Sequence, residues 1–116
     1  MIKNILLIES AKNLIEDYVK RLAGRYELVI VQRFEDFEEK FSSNTFAAIA
    51  ISPCLNNFRP NTHDLAKKIR YEIEFRGPII ANTGLPEYCD EMIVAGCTHW
   101  CDTFSLPDKL HELLGS

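Results

Sequence analysis

Apolar residues fall along this chain in two rhythms that alternate five times. Ile5-Leu6-Leu7-Ile8 is a short unbroken apolar run, the pattern of a strand buried on both faces of a parallel sheet, and Glu9-Ser10 end it. From Ala11 to Ala23, Leu14, Ile15, Tyr18 and Leu22 recur at helical spacing, with Ser10 placed to cap the helix and Gly24 to stop it. Leu28-Val29-Ile30-Val31 repeats the strand signal with β-branched residues, and Phe34, Phe37 and Phe41 form a second helical stripe. Phe46-Ala47-Ala48-Ile49-Ala50-Ile51 predicts the third strand, with small residues that let helices approach closely and Ser52 at its end. Past a loop rich in Pro and Asn, Leu65, Ile69 and Ile73 recur every fourth residue, opposite a charged face. Ile79-Ile80-Ala81-Asn82 predicts a fourth strand, Pro86 to Ala95 a weaker helix stopped by Gly96, and Cys97 to Phe104 a fifth strand. Ser105, with an acid three residues on, matches a capped start for the last helix, which carries Leu110, Leu113 and Leu114.

Five βα units in strict alternation imply a parallel five-stranded sheet with right-handed crossovers and helices on both faces. The expected architecture is α/β, a flavodoxin-like (βα)5 three-layer sandwich with strand order 2-1-3-4-5. In such a sheet the functional crevice lies beyond the carboxyl ends of the strands. The residues to watch are therefore Glu9 and Ser10, Ser52, Thr83, and Asp102 to Phe104.

Composition narrows the class. With 116 residues, 47% of them hydrophobic, the chain is expected to be one domain over residues 1–116. Thirteen Lys and Arg against seventeen Asp and Glu give a net charge of −4 with no basic block, which argues against a surface that neutralises nucleic acid or anionic lipid. The longest apolar run falls far short of the roughly 20 residues needed to cross a bilayer. A soluble cytoplasmic protein is expected. The four cysteines, Cys54, Cys89, Cys97 and Cys101, fit a reduced compartment better than a disulfide scaffold.

Several stretches, in order and spacing, resemble the receiver domain of bacterial response regulators over essentially the whole chain. Asn4 to Ser10 resembles its first strand and acidic pair, and Phe46 to Ser52 its third strand ending at the phosphoacceptor. Asp64-Leu65-Ala66-Lys67-Lys68-Ile69-Arg70 resembles its third helix, and Pro78 to Gly84 its fourth strand with a phosphate-binding Thr. Ala95-Gly96-Cys97-Thr98-His99-Trp100 resembles the turn and switch aromatic of its fifth strand. The resemblance implies a two-component-type signalling role in which an aspartate accepts a phosphoryl group, two acids hold Mg²⁺, and a hydroxyl residue and a lysine assist.

The departures fall on those very positions. Ser52 stands at the phosphoacceptor, Ser10 at the second acid and Thr103 at the lysine, and only Glu9 and Thr83 keep the family's residue type. No acid lies between Phe46 and His63. Aspartyl phosphorylation needs a carboxylate nucleophile, and Mg²⁺ prefers anionic oxygen ligands. The chain is therefore expected to be a degenerate receiver, a pseudo-receiver that is not phosphorylated, with no catalytic residues, no cofactor and no metal, working as a protein-interaction module. Phe104, where the family usually has proline, puts the turn after strand 5 in question, and helix 4 is expected to be short or displaced.

By the same resemblance, the contact surface is the face of helix 4, strand 5 and helix 5 around Tyr88, Met92, Trp100 and Leu106. Its expected partners are signalling proteins, and the face is also a candidate for homodimer contact. Trp100 would serve there as a fixed aromatic anchor. Cys97, His99 and Cys101, spaced by two, would share one face of an extended strand, but alternate side chains sit roughly 7 Å apart, too far for all three to reach one ion. Small apolar packing is the expectation for them. The alternative reading is a flavodoxin-like redox or ligand-sensing protein using Cys54 or Cys101 at the crevice, which would require a thiol of lowered pKa.

Overall fold

The computed structural model describes residues 2–115. Its sheet holds β1 (Lys3–Ile8), β2 (Tyr26–Val31), β3 (Ala48–Ile51), β4 (Ile79–Asn82) and β5 (His99–Cys101), all parallel, in the order β2-β1-β3-β4-β5. This is the expected topology.

Side-chain alternation divides the core into two layers. Leu6, Ile8, Ile49, Ile51, Ile79 and Ala81 face one side. There they meet Phe37 of α2 (Phe37–Ser42), Ala66 and Ile69 of the third helical segment, and Met92 of α4 (Pro86–Val94). Ile5, Leu7, Ala48, Ala50 and Ile80 face the other side. They meet Ile15, Tyr18 and Leu22 of α1 (Lys12–Leu22) and Leu106 and Leu110 of α5 (Leu106–Leu114). The alanines of β3 lie in the same layer as Tyr18, which is fully buried.

The third helical segment starts as α3 (His63–Lys67) and widens into a π-helical turn over Lys68–Glu72. Ile73 N–H reaches back to Lys68 O (2.9 Å), and Glu74 takes a left-handed φ of 60°. From this turn Arg70 donates to the carbonyls of Phe75 (2.6 Å), Gly77 (3.0 Å) and Gly96 (3.3 Å), tying the third helical segment to the turn before β5. Gly96 has φ +126°, and a Cβ there would sit 2.9 Å from Arg70 Cβ. Only glycine fits without movement.

Four local expectations are corrected. Phe34 belongs to a 3₁₀ turn (Phe34–Asp36) and is 43% exposed. The aromatic group is instead buried Phe37 and partly buried Phe41, with Phe46 and Phe75 packed around Phe41. β5 has three residues rather than eight, because Thr98 is taken up by hydrogen bonds to Ile79 and a turn begins at Asp102. Cys97 thus precedes the strand and packs in the α3–α4 layer, while Cys101 packs in the α1–α5 layer, so the two thiols do not share a face. Neither Ser10 nor Ser105 caps a helix. Ser10 Oγ accepts from Asn56 N–H (2.9 Å), and Ser105 Oγ donates to Asp102 (3.1 Å).

Candidate functional site

At the carboxyl edge of the sheet, the chain turns sharply after each central strand, and the polar residues at those turns are bonded to the turns themselves. Glu9 follows β1 and is only 4% exposed, and its Oε2 accepts the N–H groups of Ser10 (3.1 Å) and Ala11 (3.2 Å). Burial pushes its carboxyl up from the ordinary value, and the two amides pull it part of the way back. Ser52 N–H donates to Ile8 O (2.9 Å), which carries the β1–β3 ladder one step further and puts Glu9 and Ser52 at neighbouring register positions. Ser52 Oγ donates to Cys54 O (3.0 Å) and accepts from Cys54 N–H (3.3 Å), so the hydroxyl closes the loop that follows it.

That loop folds back over the β1 end. Asn56, in a left-handed conformation of φ 54°, donates its N–H to Ser10 Oγ and its Nδ2 to Gln32 O (2.8 Å). Asn61 makes a reciprocal pair with the backbone of Leu55 (2.7 and 2.8 Å), and Thr62 Oγ1 donates to Ser52 O (2.8 Å). Thr83 follows β4, and its Oγ1 accepts Leu85 N–H (3.2 Å), shaping the entry to α4. The Ser52 and Thr83 hydroxyls support their own turns, while those of Ser10 and Thr62 tie the loop after β3 to its surroundings. Beyond Asn56, toward β2, lies an open cleft of about 570 Å³. Lys12, Arg33 and Lys40 line it, with Arg33 paired to Asp36 and Lys40 bonded to Ile30 O.

The lysine position, Thr103, contributes its backbone. Tyr18 Oη donates to Thr103 O (2.5 Å) and accepts from Asn82 Nδ2 (3.0 Å), while Cys101 Sγ donates to Asn82 Oδ1 (3.6 Å). A neutral hydrogen-bond chain, Cys101–Asn82–Tyr18–Thr103, thereby ties α1, β4 and the end of β5 together. Sequence reasoning missed Tyr18, Asn82 and Asn56 as members of this region. Two signals pointed to them: a tyrosine in a buried helical stripe needs a partner for its hydroxyl, and Asn82 is the lone polar residue of an otherwise apolar strand. Burial pushes the Tyr18 phenol up to about 12, against the hydrogen bond from Asn82, which lowers it.

Asp102, the other acid near this end, is engaged by its own turn. Its Oδ1 accepts the N–H groups of Phe104 (2.9 Å) and Ser105 (3.1 Å), which forms the turn where the family usually has proline. The donor set therefore does not suit Mg²⁺: one buried carboxylate engaged by two amides, and hydroxyls already bonded to backbone. Among the described residues, no group of three or more His, Cys, Asp or Glu is placed to hold a metal, and no buried side-chain N or O lacks a partner.

Burial raises the Cys54 thiol, with Glu9 raising it further, and burial pushes Cys97 and Cys101 up to about 12.

Two of the four residues expected on the contact surface are corrected. Met92 is fully buried, packed with Ile69 and Cys97 and with its sulfur 3.8 Å from Thr62 Oγ1, and Leu106 is 1% exposed in the α1–α5 layer. Both sit at inward positions of their helices. Tyr88 is half-buried and Trp100 is 52% exposed. Ile93, Val94 and Phe104 are further exposed apolar residues on these elements or beside them.

No family model matches the chain, and no curated protein matches it significantly. Solved structures do. The chain is similar to a response regulator signal receiver domain from Bermanella marisrubri, with a TM-score of 0.81 at 16% identity, covering 99% of this chain and 100% of that one. It is similar to the chemotaxis response regulator CheY4 of Vibrio cholerae, with a TM-score of 0.79 at 17% identity, covering 98% and 100%. A response regulator receiver protein from Pseudoalteromonas atlantica gives 0.78 at 14% identity, covering 96% of each chain. The fold is that of the response regulator receiver domain, of the flavodoxin-like class.

Proposed function

We propose that this chain is a pseudo-receiver: a receiver-fold module of signal transduction that acts by contact with protein partners rather than by aspartyl phosphorylation or other catalysis. The observation that carries the reading is the state of the strand-end residues. Ser52, at the phosphoacceptor position, is bonded in both directions to Cys54, and Glu9, the one carboxylate beside it, is held by two backbone amides. Receiver phosphorylation needs a carboxylate nucleophile and a bound Mg²⁺, and a serine in place of the one with a single amide-held carboxylate for the other supports the reading that this reaction is absent. The Tyr18–Asn82 chain supports the same reading, because it bridges β4 and the end of β5 without any charge that a phosphoryl group could attract. What remains for function is the exterior, where Ile93 and Val94 of α4, Trp100 of β5 and Phe104 before α5 stand in solvent. Among the described residues no helix is long and apolar enough to cross a membrane.

The test is incubation with acetyl phosphate and Mg²⁺, followed by intact mass and the emission of Trp100, the only tryptophan. The mass and the emission stay unchanged. Stoichiometric gain of a phosphoryl group overturns the reading.

A further inference from the structure

Charge along this chain is unevenly divided. Residues 83–116 hold six carboxylates (Glu87, Asp90, Glu91, Asp102, Asp108 and Glu112) against a single lysine, Lys109, which is −5. The whole chain carries −4, so the preceding 82 residues amount to +1. All six carboxylates are exposed. The segment that supplies α4, β5 and α5 therefore carries the protein's entire negative excess.

Trp100 stands at the middle of this surface, between two shallow grooves. One, of about 240 Å³, runs between β5 and the first turns of α5 and is lined by Trp100, Asp102, Ser105, Asp108, Lys109 and Glu112. The other, of about 400 Å³, lies toward α4 beside Ile93 and His99. Lys109 is held by Glu112 at 2.8 Å, which draws the Glu112 carboxyl below its usual range and leaves that pair neutral. Asp108 has no ion-pair partner among the described residues, and Asp102 is fixed in place by Phe104, Ser105 and its own turn. The first groove thus presents an indole wall and a net charge of −2.

We infer that this groove receives an arginine-bearing segment of a partner protein, with the guanidinium over the Trp100 indole and bonded to Asp108. The inference rests on the reading of the chain as an interaction module and names the chemistry of its partner. A guanidinium is the group that suits an aromatic face and a carboxylate together. A second copy of this chain does not suit the face, since an isologous contact would set −5 against −5 around the same lysine. Nucleic acid and anionic lipid are repelled for the same reason.

The experiment titrates the protein at low salt with a short synthetic peptide of alternating arginine and leucine, and separately with its glutamate–leucine counterpart, following Trp100 emission. The arginine peptide gives a saturable change, and the glutamate peptide gives none. Asp108→Lys with Glu112→Lys weakens the arginine peptide roughly tenfold. Glu16→Lys with Glu27→Lys, which reverses two exposed acids elsewhere, leaves it unchanged. No saturable change, equal response to both peptides, or equal loss in both double variants overturns the inference. A concentration-dependent dimer abolished by Trp100→Ala also overturns it, while leaving the interaction-module reading intact. Phosphoryl uptake from acetyl phosphate overturns that parent reading and does not alter the outcome of the peptide titration.

Discussion

Replacing Tyr18 by Phe removes one oxygen from the interior and tests the hydrogen-bond chain that joins α1, β4 and β5. In the native protein that oxygen donates to Thr103 O and accepts from Asn82 Nδ2, and both Tyr18 and Asn82 are almost wholly buried. The Phe ring fills the same space, so no cavity forms and the cost comes from hydrogen bonding alone. Thr103 is half-buried and its carbonyl can turn to water, whereas the Asn82 amide cannot. Stranding one buried amide donor costs about 1–3 kcal/mol, and the lost bond to Thr103 adds about 1 kcal/mol. The expected destabilisation is about 2–4 kcal/mol, against a total of roughly 6–17 kcal/mol for a chain of this length. Urea unfolding followed by Trp100 emission should show it as a lower midpoint at unchanged slope, and Tm should fall by about 10 °C. A second variant separates a stranded amide from general disturbance. Tyr18→Phe combined with Asn82→Leu removes both partners, so the pair should be more stable than the sum of the single effects by about 1–2 kcal/mol. A loss below about 0.5 kcal/mol for Tyr18→Phe, or strict additivity, would refute this account of the interior.

Three further outcomes follow from the same geometry. Gly96→Ala, which forces a side chain into a φ of +126° and against Arg70 Cβ at 2.9 Å, should destabilise by about 2–3 kcal/mol, measured by thermal unfolding. Glu9 has its carboxyl raised by burial, so keeping it neutral contributes stability that is present below the ordinary carboxylate range and is lost as pH rises through the raised value. Glu9→Gln should therefore match the wild type in acid and exceed it near neutral pH, as measured by unfolding midpoints across that range. Ser52→Asp should remain unmodified by acetyl phosphate, because Ser10 and Thr103 supply neither the second acid nor the lysine, and it should lower Tm at neutral pH by setting a second buried charge beside Glu9.

Much of the fold was legible because its strongest signals are local. Apolar runs such as Ile5 to Ile8 and Ile79 to Ala81 read directly as strands buried on both faces, and their alternation with helical stripes sets the strand order. The strand-end positions followed from that order, and the identities of Ser10, Ser52 and Thr103 there are what the proposed loss of receiver chemistry rests on. What stayed hidden depends on tertiary partners. Met92 and Leu106 fall on inward positions of short helices whose rotation the pattern alone does not set. The fifth strand is cut to three residues by the hydrogen bonds of Thr98 and the turn at Asp102, neither of which has a periodicity to read. Ser10 and Ser105 matched cap positions, yet each hydroxyl has another partner, Asn56 N–H in one case and Asp102 in the other. Asn56 itself gives no sequence signal beyond its tolerance of a left-handed backbone.

The most direct test of the central claim, that the strand-end residues are engaged by nearby backbone and chemically silent, is the amide spectrum of the protein recorded with Mg²⁺ and beryllofluoride, a mimic of the phosphoryl group. The account predicts that the resonances of Glu9, Ser52, Thr83 and Thr103 stay where they are in plain buffer. Saturable shifts at those positions, spreading to Trp100, would show a working phosphoryl site and contradict it.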